Sequence, residues 1–328
     1  MNKKIRQEII DRLLQSNHIL ITAHRSPDGD SIGSQLGLAG FLDKRHIPFM
    51  IVNQGEIPDK YHFLPGIKMI RDISEIEPVE KPFDTAVVIE CSNLERIGDV
   101  RRLIDDKTVI INIDHHQDNV SFGGINFTDT NAAAAGEMIF DILRQVPAKF
   151  DAAMATNLYA AILTDTGRFH YSSTTPYCLQ VAAELLSFGA DPVEITERIY
   201  YNLRPQVVRL TGMAVASMEL MLEGRLCVLT IDRAMMKATD AGDGDTEGIV
   251  NYSMYSKGVD VGVLFTEVEN NRTKVSLRSQ NDIDVAVIAA HYGGGGHLNA
   301  SGCIIELPLE RAKERIVTYI KERLNGSV

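Results

Sequence analysis

The sequence predicts an α/β protein: an N-terminal doubly wound, mostly parallel sheet domain, then a smaller C-terminal α/β domain, joined by a helical connector. Three observations predict it. Four short, β-branched, nearly continuous apolar runs alternate with helical periodicity in the first 190 residues, the pattern of a sheet covered on both faces. The 328 residues are roughly twice a domain of about 150. Past a helical stretch, a second set of strands and helices begins.

The four runs are HILITAH (18–24), PFMIVN (48–53), FDTAVVIE (83–90) and TVIINID (108–114). Helical patterns lie at 30–44, 136–146, 151–164 and 177–188. Ligands of such a doubly wound domain, here expected over 1–190, gather at the carboxyl ends of the strands. Residues 191–222 turn helical, punctuated by Pro192 and Pro205, and read as the connector. The second domain, 223–328, carries strand patterns at 225–231, 259–269, 273–278 and 303–306. Its helices are expected at 283–291 and 308–324.

Thirty-three basic and 44 acidic residues leave a net charge of −11. That balance argues against a protein that coats long duplex nucleic acid by counterion release. Short anionic substrates and metal ions stay open. No apolar run approaches the ~18 residues of a membrane span, and the charged, amphipathic stretch MNKKIRQEIIDRLLQ lacks the apolar core expected of a signal peptide. Cys91, Cys178, Cys227 and Cys303 lack paired spacing, which suits a reducing cytoplasm. A cytoplasmic monomer or homodimer is expected.

The chemistry concentrates at predicted strand ends. The first strand runs into His24-Arg-Ser-Pro-Asp28-Gly-Asp30, just before a helix; an N-cap at Ser26 or Asp28 would also explain those residues. The fourth ends in Asp114-His115-His116, which packing does not explain, because strand interiors disfavour Asp. Glu90 closes AVVIE, and Asp165 closes the apolar helix of LYAAILTDTG. An acid at a helix C-terminus opposes the macrodipole, and a cation would offset it; a cap or turn role fits these two acids as well. Two imidazoles and several carboxylates, without thiolates, favour Mn²⁺ or a similar ion over a thiolate zinc site. Six protein ligands exceed what one catalytic ion with open positions takes. Two ions bridged by a carboxylate fit better, and such pairs serve in-line displacement at phosphorus.

These residues resemble the DHH phosphoesterases, through HRSPDGDSIGS (24–34), IECSN (89–93), DHH (114–116) and LTDTG (163–167). GGGGHLNASG (293–302), preceded by SLRS (276–279), is similar to the DHH-associated domain of the same family. The two-domain length resembles the branch of bacterial nanoRNases and 3′-phosphoadenosine 5′-phosphate phosphatases. The resemblance implies two divalent ions, Mn²⁺ with Mg²⁺ or Co²⁺ as alternatives. One would be held by His24 and Asp28, the second by Asp30, His115 and Asp165, with Glu90 bridging. Asp114 would support the cluster and His116 would face the leaving group. Glu90 stands where the family has Asp, and one extra methylene moves a carboxylate by roughly 1.5 Å.

In the second domain, Gly293, Gly294, Gly295 and Gly296 precede His297. Successive glycine N–H groups can form an anion-binding nest, and the planar fork of Arg278 suits a phosphate. The resemblance turns both toward substrate grip, with His297, across an interdomain cleft. Arg168 and His170 either face that cleft or belong to a solvated turn. Tyr252, Met254 and Tyr255 read as core or groove packing rather than a base platform.

The expected activity is hydrolysis of very short oligoribonucleotides or linear dinucleotides to mononucleotides, with 3′-phosphonucleotides as further substrates. The alternatives are a cyclic or linear dinucleotide signalling phosphodiesterase, and a nucleotide-binding protein whose metal site Glu90 weakens.

Overall fold

The computed structural model describes residues 2–77, 82–146, 150–269, 271–280 and 283–325, without the side chains of Asn2, His297 and Asn325. The chain divides into two compact units, 1–202 and 203–328, and the division falls inside the expected connector.

Unit 1 opens with helix α1 (Asn2–Gln15) and strand β1 (Ile19–Thr22). Helix α2 (Gly29–Lys44) leads to β2 (Phe49–Asn53), β3 (Ile70–Asp72), β4 (Thr85–Ile89), β5 (Val109–Asp114) and β6 (Ile125–Thr128). Helices α3 (Ala135–Leu143), α4 (Ala152–Asp165), α5 (Pro176–Ser187) and α6 (Pro192–Thr196) complete it. The six strands form one parallel sheet in the order β3-β2-β1-β4-β5-β6. Alternate residues serve opposite faces. Ile19, Ile21, Ile51, Val87, Ile89, Ile111 and Ile113 pack toward α2 and α3, while Leu20, Val52, Ala86 and Val88 form a second core.

The strand order reverses beside β1, which pairs with both β2 and β4. At such a switch point the carboxyl ends open a crevice. Sequence patterning did not anticipate β3 and β6. Both are edge strands, IRD and INFT, with alternating rather than continuous burial.

Unit 2 begins with α7 (Pro205–Ala216), β7 (Glu219–Met221), β8 (Leu226–Ile231) and α8 (Arg233–Thr239). Strands β9 (Val261–Val268) and β10 (Arg272–Ser279), helix α9 (Val285–His291), strands β11 (Gly295–His297) and β12 (Ala300–Ile305), and helix α10 (Leu309–Asn325) follow. Its sheet runs β11-β12-β10-β9-β8-β7. It is mixed, because β8 pairs parallel to β9 and the other pairs are antiparallel. One face packs Val261, Val263, Phe265, Val275 and Leu277 against α9 and α10. The other packs Leu229, Ile231 and Leu264 against α7, α8 and the 3₁₀ segment Ile249–Met254.

The glycine run differs from the expected nest. Gly295 and Gly296 form the edge strand β11, paired to Gly302 and Ser301. A Cβ on Gly294 would sit 2.1 Å from the Gly302 carbonyl oxygen, so glycine is needed for this close approach.

Candidate metal centre

Strands β1, β4 and β5 are neighbours, so the residues that follow them emerge together at one sheet edge. Two groups converge there: Asp30, His115 and Asp165, and Glu90, His115 and His116, with ligand atoms within 4.8 Å in each. His115 Nε2 lies 3.2 Å from Glu90 Oε1, 3.4 Å from Asp165 Oδ2 and 3.9 Å from Asp30 Oδ2. Its Nδ1 is 3.2 Å from the Ala132 carbonyl oxygen. A carbonyl only accepts, so Nδ1 carries the hydrogen and Nε2 turns to the acids. Metal-bound histidines are oriented in this way.

His24 and Asp28 lie outside both groups. His24 Nδ1 donates to the Arg25 carbonyl at 2.8 Å, and its Nε2 is 3.8 Å from Asp28 Oδ2. Asp28 is also the N-cap of α2, its Oδ1 accepting from the Ser31 N–H at 2.9 Å. The cap and ligand readings of this residue use different oxygens and are compatible.

Asp30 is held by the first turn of α3. Ala135 and Gly136 N–H donate to it at 2.6 and 2.9 Å, and Ser34 Oγ donates at 3.1 Å. Glu90, the residue just past β4, has φ of 60°, a left-handed conformation rare for this residue type. Such backbone costs about 1–3 kcal/mol and clusters at functional sites. Nothing in the sequence pattern signals it.

Asp114 Oδ1 lies 2.7 Å from His116 Nδ1. Burial pushes the Asp114 carboxyl up, but its bonds to His116 and Asn119 outweigh that and hold it below the usual range. As an ionised acceptor it fixes the hydrogen of His116 on Nδ1. Sequence reasoning missed Asn119, whose Nδ2 donates to Asp114, to Asn112 Oδ1 at 2.9 Å and to the Cys91 carbonyl at 3.0 Å. Its place three residues past DHH was the available signal. Asn119→Ala should lower stability by about 1–3 kcal/mol, the cost of unpaired buried acceptors, read as a thermal midpoint.

Burial raises the Asp30, Glu90 and Asp165 carboxyls, Glu90 well above the ordinary value and Asp165 to about 8. Burial would lower His115, but the charge of Glu90 and its neighbours pushes it well above 6.5. Three acids thus share one imidazole. Glu90 Oε2 is buried with no hydrogen-bond partner, a costly state for a carboxylate.

Elsewhere, Gly167, Arg168 and Phe169 are all left-handed beyond α4, and the Arg168 guanidinium stacks 4.9 Å over the Tyr200 ring. His170 lies in the same turn, beside Tyr171. In unit 2, Arg278 Nε donates to Asn251 Oδ1 at 3.0 Å. The His297 side chain lies outside the described residues. Tyr252 and Tyr255 point outward, 38% and 67% exposed, against the packing role read from sequence. The four cysteines are free and buried. Among the described residues, no helix is long and apolar enough to cross a membrane.

Residues 18–162 match the model of the DHH family, N-terminal domain, and 224–326 that of the DHHA1 domain. The chain is 33% identical to the bifunctional oligoribonuclease and PAP phosphatase NrnA of Thermus thermophilus, over 93% of this chain and 90% of that one. The chain belongs to the DHH family of phosphoesterases. To this hydrolase the Bacillus subtilis NrnA is 28% identical, over 92% of this chain and 93% of that one. The crystal structure of an exopolyphosphatase-related protein from Bacteroides fragilis superposes with a TM-score of 0.92 at 26% identity, covering 98% of each chain.

DHH phosphoesterases are metal-dependent, and these residues fit divalent ions. The donors are oxygen and imidazole nitrogen, the acids outnumber the nearby cations, and Glu90 Oε2 lacks a partner.

Proposed function

We propose that this DHH phosphoesterase hydrolyses very short oligoribonucleotides and linear dinucleotides to mononucleotides, and 3′-phosphoadenosine 5′-phosphate to AMP, with Mn²⁺. The observation that carries the reading is the end-to-end likeness to relatives named for both activities. His24 and Asp28 would hold one ion, Asp30, His115 and Asp165 the other, and Glu90 both. Bound there, the ions would neutralise charge on the phosphoryl oxygens and acidify water. Asp114 holds a hydrogen of His116 on Nδ1 and would stabilise its imidazolium, whose Nε2–H would then protonate the leaving oxygen. Arg278, Gly293, Gly294, Gly295, Gly296 and His297 would hold the substrate, the arginine by a charge-assisted fork on its phosphate.

The test is turnover of pApA, a short RNA, 3′-phosphoadenosine 5′-phosphate and cyclic di-AMP with Mn²⁺, with Asp30→Ala and His115→Ala as backgrounds. The first three should be consumed by wild type and spared by both variants. Preference for cyclic di-AMP, or wild type no faster than the variants, sinks the proposal.

A further inference from the structure

Beside Arg278 of the proposed phosphate grip, unit 2 presents a surface of residues that the grip does not use. In the sheet register Arg278 pairs with Ala300 on one side and Gly262 on the other. Directly opposed residues share a face of the sheet. On that face a Cβ at Gly262 would lie 1.9 Å from Ser253 Oγ and 2.7 Å from Met254 Sδ. Glycine therefore lets the 3₁₀ segment Ile249–Met254 lie directly on β9, beside Arg278. Ile249, Val250 and Ser253 anchor the segment in the core, and Asn251 Oδ1 orients the Arg278 guanidinium.

Three residues per turn bring positions i and i+3 into line on a 3₁₀ helix. Tyr252 and the capping Tyr255 stand in that relation, their ring centroids 5.2 Å apart and the planes inclined by 56°. Both rings are exposed, although the segment that carries them is anchored by its buried residues. A guanidinium oriented by the same segment that carries two exposed aromatic rings matches one ligand chemistry: a phosphate with a nucleobase attached. Bases stack on aromatic side chains, and this is the common means of holding unpaired nucleotides.

We propose that Tyr252 and Tyr255 form a stacking platform for a nucleobase of the substrate whose phosphate Arg278 holds. The inference rests on the short-oligonucleotide reading and adds base recognition to it. It gives the protein a preference for nucleotides over other phosphodiesters. Stacking tolerates any base, so the platform discriminates little among sequences.

The test separates binding from turnover. pApA and its abasic counterpart, the same sugar-phosphate backbone without bases, are titrated into the full chain by calorimetry. A chelator holds turnover off. Tyr252→Ala and Tyr255→Ala should weaken pApA binding by roughly 5- to 150-fold each and leave the abasic affinity alone. Tyr255→Phe, which keeps the ring, should bind as wild type. Unchanged thermal midpoints show that the variants fold.

Equal affinity of wild type and the alanine variants for pApA overturns the platform. So does an equal loss on both ligands, or no binding of pApA by wild type. Failure of the activity is a separate result: wild type that binds pApA through these tyrosines but cleaves none of it keeps the platform and removes the phosphoesterase substrate.

Discussion

Adding Mn²⁺ to chelator-stripped protein should raise its thermal midpoint, and the rise should grow with pH. In the metal-free protein burial pushes the Asp165 carboxyl up to about 8 and raises Asp30 and Glu90. Unfolded, these groups release their protons near pH 4. Between those limits the native state binds more protons than the unfolded chain, so stability falls as pH rises. His115 acts in the same sense. Its folded value is raised by Glu90 and its neighbours against burial, so its contribution is complete below about 6.5 and lost as pH climbs through the folded value.

Ions reverse the trend, because they take the place of those protons and bind the deprotonated ligands. At an ion concentration of a hundred times Kd the gain is about 2.7 kcal/mol. For a unit of this size that is about 5–10 °C. Differential scanning fluorimetry at pH 5.5, 7.0 and 8.5 reads both slopes. The stripped midpoint should fall across that range while the Mn²⁺ increment widens. An increment that is constant with pH, or absent, would mean that these acids do not hold the ion.

Why these residues were legible in the sequence, and others not, follows from what each signal depends on. Asp114-His115-His116 stood out because it breaks a strand pattern, and strand ends at a switch point are where ligands gather. The parallel arrangement of β1, β2, β4 and β5 followed from their continuous apolar runs. Strands β3 and β6 carry no such run, since an edge strand needs less apolar cover. Glu90 was chosen for its place at the end of β4, but its left-handed backbone and lone Oε2 depend on tertiary packing. Helical periodicity could not tell which side of Ile249–Met254 faces the core. Gly262, twelve residues past Val250 and on another element, decides that.

Gly33→Ala should destabilise unit 1 and weaken the metal centre, while Gly212→Ala should stabilise the protein. Both glycines lie inside helices, where alanine is favoured by about 1 kcal/mol. At Gly212 a Cβ meets nothing within 4 Å, so that preference stands alone. At Gly33 a Cβ would lie 2.3 Å from the Asn157 carbonyl oxygen and 2.9 Å from Ala161 Cβ. Backbone cannot swing aside as a long side chain can. Gly29, Gly37 and Gly40 show the same crowding against Thr164, Leu158 and Met154, so the stripe sets how closely α2 approaches α4. Relieving the overlap means parting the helices, at about 1–3 kcal/mol or more, which exceeds the gain in helix propensity. The site feels the same shift, because α2 carries Asp30 and α4 ends in Asp165. A displacement near 1 Å can cost about 10²-fold in rate. Thermal midpoints and the Mn²⁺ increment of the two variants give the comparison. A Gly33→Ala protein as stable as Gly212→Ala would show that α2 and α4 are not held together by this glycine contact.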